Sequence, residues 1–265
     1  LNEAISQSLA GRTAVYNLLP LSLSELQEHY QKTHSKETSI VNGFLPRLYN
    51  DDVPANLIYS NYFRTYIERD VRLMINIKNL SQFENFIRLL AGRVGQVVNL
   101  SSLSNDIGVS STTLGSWLSI LEASYIIYRL STYHTNIRKR ITKSPKLYFV
   151  ETGLATWLLG IETPSQCIRD PLFGNLFENM FVMDAVKQRL NMGKEPQLYF
   201  YRDGKGHEVD LIFNNHRIPY PIEIKSAMTW NDQFAKEITW FQAASPTYGI
   251  GTVIYPGDIE FDRET

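Results

Sequence analysis

The segment EVDLIFNNHRIPYPIEIK, from Glu208 to Lys225, decides the fold of the C-terminal part of this chain. Two apolar runs flank the polar stretch Asn214 to Arg217, which is typical of a tight turn, so the segment predicts a β-hairpin. Because the side chains of a strand alternate between its two faces, Glu223 and Lys225 are expected on the same face of the second strand.

The first strand of this hairpin carries a third charged residue. Alternation puts Val209, Leu211 and Phe213 on one face and Asp210 on the opposite face. If Asp210 points to the same side as Glu223, two carboxylates and a lysine ammonium meet. Carboxylate oxygens are the ligands that hard divalent cations prefer, so the pattern predicts a cation site, and a solvent-exposed strand with alternating charge is the alternative.

Composition limits the class of protein. The chain has 265 residues, 43% of them hydrophobic, and a formal net charge of −1, so any surface that attracts a polyanion must be local. A single cysteine, Cys167, excludes an internal disulfide framework and a cysteine-rich zinc site and fits a reducing compartment. With no apolar run long enough to span a bilayer, we expect a cytoplasmic protein without a membrane partner.

The first region, residues 1–78, has the pattern of a mostly helical segment. Ser22 or Ser24 is the expected cap of a helix with Glu25 in its first turn. A second helix is expected in NYFRTYIERDVRLM, whose apolar residues recur at helical spacing. Neither stretch completes a core alone, so we expect this region to belong to something longer.

The second region, residues 79–150, predicts three helices and a β-hairpin, the order of a winged helix. The first helix carries apolar residues at Phe83, Phe86, Ile87 and Leu90, and the second lies in SSLSNDI. The third follows a turn at Gly108, is capped by Ser110 or Ser111, and has an apolar stripe at Leu114, Trp117, Leu118 and Leu121. The strands are expected in YIIYRLSTY and KLYFV.

The connection between these two strands is basic. In NIRKRITKSPK, five cationic residues occur without an acid: Arg138, Lys139, Arg140, Lys143 and Lys146. This is where a wing would touch phosphates, so these residues are candidates for nucleic-acid binding. A solvated loop, or a winged helix used only for packing between domains, is the alternative.

The third region, residues 151–265, has the element order αβββαβ. A helix near residues 175–190 precedes three strands, a second helix near 232–244 and a last strand in GIGTVIY. The first three strands can form a meander, and the last can lie parallel to one of them because it returns after a helix.

This order, with Asp210 on one strand and Glu223-Ile224-Lys225 on the next, resembles the PD-(D/E)xK nuclease superfamily. The resemblance implies that Asp210, Glu223 and the Ile224 carbonyl bind Mg²⁺ or Mn²⁺. Lys225 would orient or activate the attacking water and offset phosphate charge. Glu178, on the preceding helix, would complete the acidic cluster through water or a second metal, so the implied catalytic set is Asp210, Glu223, Lys225 and Glu178.

Seven segments carry a second resemblance: SLAGRTAVYNLLPLSLSEL, YFRTYIERDV, LSSLSNDIGVSSTTLGSWLSILEASYII, KSPKLYFVETGLATWLLG, FGNLFENMFV, YFYRDGKGHEVDLIF and IEIKSA. In order, they are similar to a widespread family of bacterial and archaeal AAA-type ATPases with a C-terminal domain of unknown role. The family commonly has Asp at the position of Glu151. The resemblance implies a mixed α+β chain with three parts: the end and helical lid of an ATPase core (1–78), a winged helix (79–150) and a restriction-endonuclease-like domain (151–265).

The sequence contains no G-x-x-x-x-G-K-[ST] loop to bind nucleotide phosphates. We therefore expect ATP to be a ligand only of a longer protein that contains the ATPase core, and no ATPase activity from this chain alone. Three functions stay open: a metal-dependent nuclease that acts on DNA, a catalytically silent module that binds nucleic acid or protein, and an oligomerisation or regulatory platform.

Overall fold

The computed structural model describes residues 16–31, 34–71, 79–134 and 144–257. It is a mixed α/β structure, as expected from the sequence, and its described part contains eleven α-helices and two β-sheets. No helix among these residues is both long enough and apolar enough to cross a membrane.

The N-terminal part is helical, with α1 (Leu23–Tyr30), α2 (Lys36–Asn42), α3 (Arg47–Asn50), α4 (Ala55–Tyr62) and a π-helix (Phe63–Val71). Ser22 caps α1 in a capping box with Glu25, which confirms the first of the two predicted caps. Three further helices follow, α5 (Leu80–Ala91), α6 (Leu100–Ile107) and α7 (Ser111–Ala123). The predicted turn at Gly108 is confirmed, with the glycine in the left-handed conformation at the end of α6, and Ser110, the first of the two predicted caps, caps α7.

The first sheet consists of β1 (Gln96–Val97), β2 (Ile127–Leu130) and β3 (Lys146–Phe149), in the order β1-β3-β2. β2 and β3 form the predicted antiparallel pair. β1 was not predicted, because two residues carry too little pattern to distinguish a strand from a loop.

The C-terminal part contains α8 (Thr152–Leu158), α9 (Pro164–Arg169), α10 (Phe173–Asn191), β4 (Leu198–Arg202), β5 (Glu208–Asn215), β6 (Ile218–Ile224), a 3₁₀-helix (Asp232–Ala235), α11 (Lys236–Ala244) and β7 (Thr252–Ile254). The second sheet has the order β4-β5-β6-β7, with the first three strands antiparallel and β7 parallel to β6, which confirms the predicted meander and the parallel return. The turn between β5 and β6 is His216–Arg217, both with positive φ, as a two-residue hairpin turn requires.

A parallel bridge between Thr132 and Phe200 joins the two sheets. The Phe200 N–H donates to Ser131 O at 3.0 Å, so the chain leaving β2 runs along the outer edge of β4. One continuous cluster of buried side chains extends from Leu26 to Ile224 and includes both sheets. The strands of the first sheet are therefore held close to the hairpin of the second.

A buried carboxylate attaches the N-terminal helices to this core. Glu151, which caps α8, accepts hydrogen bonds from the Phe44 N–H at 2.8 Å, the Tyr59 hydroxyl at 3.0 Å and the Gly153 N–H at 3.1 Å. Burial raises the pKa of Glu151, and the nearby Lys187 ammonium opposes that rise. Glu151, which caps α8, thus also holds the segment that follows α2 in place.

Candidate active site at the end of the β5–β6 hairpin

A β-bulge positions Asp210. Tyr199 pairs with Ile212 and Tyr201 pairs with Val209, so a single residue of β4 lies opposite both Asp210 and Leu211 of β5. A bulge of this kind bends a strand and changes the direction of a side chain.

The bulge corrects one prediction about the faces of β5. Leu211 belongs to the main core, whereas Val209 packs in a separate cluster with Ile212 and Phe241. The predicted common face of Val209 and Leu211 is therefore wrong, because strict alternation assumes a strand without an extra residue.

The strands β5 and β6 stop pairing beside Asp210. Their ladder ends at Leu211–Ile222, and the next N–H available on β6, that of Ile224, donates to Asp210 Oδ2 at 2.9 Å. The carboxylate therefore takes the place of a backbone acceptor at the point where the strands separate.

Lys225 joins the two predicted carboxylates. Its Nζ lies 3.4 Å from Asp210 Oδ2 and also contacts Glu223 Oε2. Asp210, Glu223 and Lys225 therefore do meet, so the condition that Asp210 shares a side with Glu223 is fulfilled. The Glu223 side chain is only 2% exposed, and its second oxygen, Oε1, is buried without a hydrogen-bond partner among the described residues.

Lys146 is a member of this site that the sequence interpretation assigned elsewhere. It lies on β3 with a side chain 3% exposed, and its Nζ is 3.0 Å from Glu178 Oε1 and 2.6 Å from Glu208 Oε1. Lys146 was predicted in an exposed basic connection that binds nucleic acid. A buried ammonium held by carboxylates cannot make such a contact, so the structure places this residue in the acidic cluster instead.

The other four residues of the basic connection, Arg138, Lys139, Arg140 and Lys143, lie outside the described residues. Their proposed contact with nucleic acid remains a prediction.

Glu178 reaches the cluster from α10. The Tyr148 hydroxyl donates to Glu178 Oε1 at 2.5 Å, and Tyr148 lies two residues after Lys146 on β3, so both point to the same face. The neighbouring Asn179 fixes the helix against this strand: its side chain accepts the Phe149 N–H at 2.7 Å and donates to the Phe149 carbonyl at 2.9 Å. The spacing of Lys146 and Tyr148 in KLYFV was the only sequence signal for this arrangement.

Burial and the neighbouring charges shift the pKa values of Glu178, Glu223 and Lys146. Burial, reinforced by the charge of Asp210, raises the pKa of Glu178 to about 7 and that of Glu223 to about 8. Burial alone would lower the pKa of Lys146, but Glu178, Asp210 and Glu208 outweigh it and raise that pKa. All three groups therefore retain protons more readily than they do in water, the two carboxyl groups chiefly because of burial and Lys146 because of the acids around it.

The donor set suits a cation at one position. Asp210 and Glu223 converge on the same ammonium, and the free buried Glu223 Oε1 is an oxygen that a hard cation would satisfy. Within the described part of the chain, however, no group of three or more His, Cys, Asp or Glu side chains is placed to hold a metal ion. Among the described residues, a cation would therefore find at most two such side chains at one position.

Comparison with known proteins assigns the chain to a family. Residues 33–165, half of the chain, match the model described as Domain of unknown function (DUF8612). The chain belongs to this family. Residues 173–265, which contain the acidic site apart from Lys146 and Tyr148, match a second model, Domain of unknown function (DUF4143).

Two curated relatives are uncharacterized bacterial proteins. An uncharacterized protein of Mycobacterium tuberculosis is 29% identical over 229 residues, which cover 84% of this chain and 49% of the relative. An uncharacterized protein of Haemophilus influenzae is 21% identical over 207 residues, 71% of this chain and 48% of the relative. The chain thus spans about half the length of the curated relatives it matches. No solved structure matches it.

Proposed function

We propose that this chain is the C-terminal portion of an AAA-type ATPase, and that it binds DNA and carries a phosphodiesterase site that depends on Mg²⁺ or Mn²⁺. DUF4143 domains are commonly associated with such ATPases. The half of each relative that the chain does not cover leaves room for an ATPase core, and ATP would be bound only there.

The observation that carries the proposal is the convergence of Asp210, Glu223 and Lys225 at the end of the β5–β6 hairpin. The strand order β4-β5-β6-β7, preceded by α10 and with α11 before β7, supports a restriction-endonuclease-like interpretation of this part. Likewise, α5, α6 and α7 with the sheet β1-β3-β2 support a winged-helix interpretation.

The residues divide the chemistry between them. Asp210, Glu223 and the carbonyl of Ile224 would hold the divalent cation, which supplies charge stabilisation and an activated water when bound. Lys225, which contacts both carboxylates and is one-third exposed, would orient that water and offset negative charge on the phosphate. Glu178 supports the acidic cluster from α10.

The test is cleavage of linear, supercoiled and single-stranded DNA with Mg²⁺ or Mn²⁺. We expect cleavage by the wild-type chain and its loss in Asp210→Ala and Lys225→Ala, with Lys194→Ala, an exposed lysine outside the site, as the matched control. Cleavage that survives in both site variants would show that the activity arises elsewhere.

A second candidate is a catalytically silent module that binds nucleic acid or a protein. The observation in its favour is that Lys146 and Lys225 already pair with the carboxylates of the cluster. Salt-dependent DNA binding without cleavage, weakened when Arg138, Lys139 and Arg140 are neutralised together, would support this candidate.

A further inference from the structure

The ammonium group of Lys146 has the surroundings of a bound cation. Three carboxylates approach it, with Glu208 at 2.6 Å, Glu178 at 3.0 Å and Asp210 at 4.0 Å. Its side chain is 3% exposed. The backbone is held on both sides, since Lys146 pairs with Val97 of β1 and with Leu130 of β2. The charge is therefore fixed in place by the central strand of a sheet.

Asp210 lies between two cationic groups. Its Oδ1 faces Lys146 at 4.0 Å, while its Oδ2 accepts the Ile224 N–H and lies 3.4 Å from Lys225. The two lysines differ in freedom, because the side chain of Lys225 is 33% exposed and that of Lys146 is buried. A cation that binds at Asp210 and Glu223 could displace the Lys225 ammonium toward solvent. The Lys146 ammonium has no comparable route.

We propose that the Lys146 ammonium permanently occupies the cation position between Glu178 and Asp210, so that the site accepts one divalent cation, at Asp210 and Glu223, and excludes a second. The binding of one divalent cation at Asp210 and Glu223 rests on the proposed function. The position of the Lys146 ammonium does not depend on it. A divalent ion at the Glu178 position would face an adjacent buried positive charge, which is strongly unfavourable where water screens little.

The stoichiometry of Mn²⁺ binding to the whole chain tests this proposal at neutral pH, with free Mn²⁺ measured by electron paramagnetic resonance. We expect Lys146→Met to bind one more Mn²⁺ than the wild type and Lys146→Arg to bind the same number as the wild type. The double variant Lys146→Met with Glu178→Gln should return to the wild-type number. Equal stoichiometry in Lys146→Met and wild type overturns the proposal, as does an extra ion that persists in the double variant.

The number of Mn²⁺ ions that Lys146→Met gains is a separate result from the number that the wild type binds. A wild type that binds no Mn²⁺ at the site counts against the proposed phosphodiesterase, while a gain of one ion in Lys146→Met still supports the role of Lys146. The two failures are therefore distinguishable.

A measurement on the wild type covers the case in which Lys146→Met does not fold. A buried, ion-paired ammonium exchanges its protons slowly and gives a ¹H–¹⁵N signal, which the Lys146→Arg variant would assign by its loss. We expect this signal to persist at saturating Mg²⁺. Its disappearance on addition of Mg²⁺, or its absence from the start, would show that Lys146 does not hold the position.

Discussion

Asp210 Oδ2 accepts the backbone N–H of Ile224 at 2.9 Å, at the point where β5 and β6 cease to pair. A side chain thus replaces a backbone acceptor, so no buried donor is left unsatisfied as the strands separate. At the same point Lys225 contacts both Asp210 and Glu223, next to the bulge that opposes one residue of β4 to Asp210 and Leu211.

The stability of the protein should depend on pH through Glu178. Its folded pKa of about 7 lies above the ordinary value of 4.5 for a glutamate, so between these values the folded chain holds a proton that the unfolded chain has released. The contribution of Glu178 to the free energy of unfolding is therefore greatest at low pH and falls as pH rises through this window, by up to about 1.4 kcal/mol per pH unit.

Chemical denaturation at pH 5 and pH 8 of the wild type and Glu178→Gln measures this effect. The variant should gain stability relative to the wild type on going from pH 5 to pH 8, since glutamine resembles the protonated acid. A relative change in the opposite direction would mean that the Lys146 ion pair, and not burial, dominates.

Glu151 should contribute to stability chiefly as a hydrogen-bond acceptor. Its carboxylate receives three donors, from Phe44, Tyr59 and Gly153. We expect Glu151→Ala to lower the free energy of unfolding by about 2–4 kcal/mol, because it leaves buried donors unpaired. Glu151→Gln keeps one acceptor oxygen and should cost less. Urea denaturation of both variants measures the difference, and equal losses would show that the negative charge itself is required.

Gly43 should not tolerate a side chain. Its φ is +75°, and an added Cβ would lie 1.9 Å from Glu151 Oε1 and 2.1 Å from the Tyr59 hydroxyl oxygen. Gly160 is a matched control, with φ +74° and no atom within 4 Å of an added Cβ.

Gly160→Ala should lower the free energy of unfolding by about 1–2 kcal/mol, the cost of placing alanine in the left-handed backbone conformation. Gly43→Ala should lower it clearly more, because the new methyl group also disrupts the hydrogen bonds of Glu151. Thermal unfolding of the two variants compares them directly. Similar losses would mean that the network relaxes around the new methyl group.

Ser22 should stabilise α1 as its cap. The Ser22 side chain accepts the Glu25 N–H at 3.3 Å, and the Glu25 carboxylate accepts the Ser22 N–H at 2.7 Å. Ser22→Ala should lower the free energy of unfolding by about 1 kcal/mol. Ser24→Ala, which removes a hydroxyl inside the same helix but not the cap, should cost less in the same denaturation experiment.

Features that depend on local chemistry could be predicted from the amino-acid sequence. Ser22, Gly108 and Ser110 mark helix ends because capping and left-handed conformations depend on single residues. The meeting of Asp210, Glu223 and Lys225 could be proposed as one of two alternatives, because a hairpin with a short turn limits which residues of its two strands can be neighbours.

The surroundings of that hairpin depend on contacts between distant segments and could not be predicted from local patterns. The bulge at Asp210 appears only when β5 pairs with β4, so alternation along one strand could not reveal it. In the sequence, Lys146 belongs to a basic connection between two strands. Strand pairing and the Asn179 contact nevertheless bring it beside Glu178, 32 residues away. Local patterns fix which way a side chain points within its element, whereas the partners of a buried charge depend on how distant elements pack.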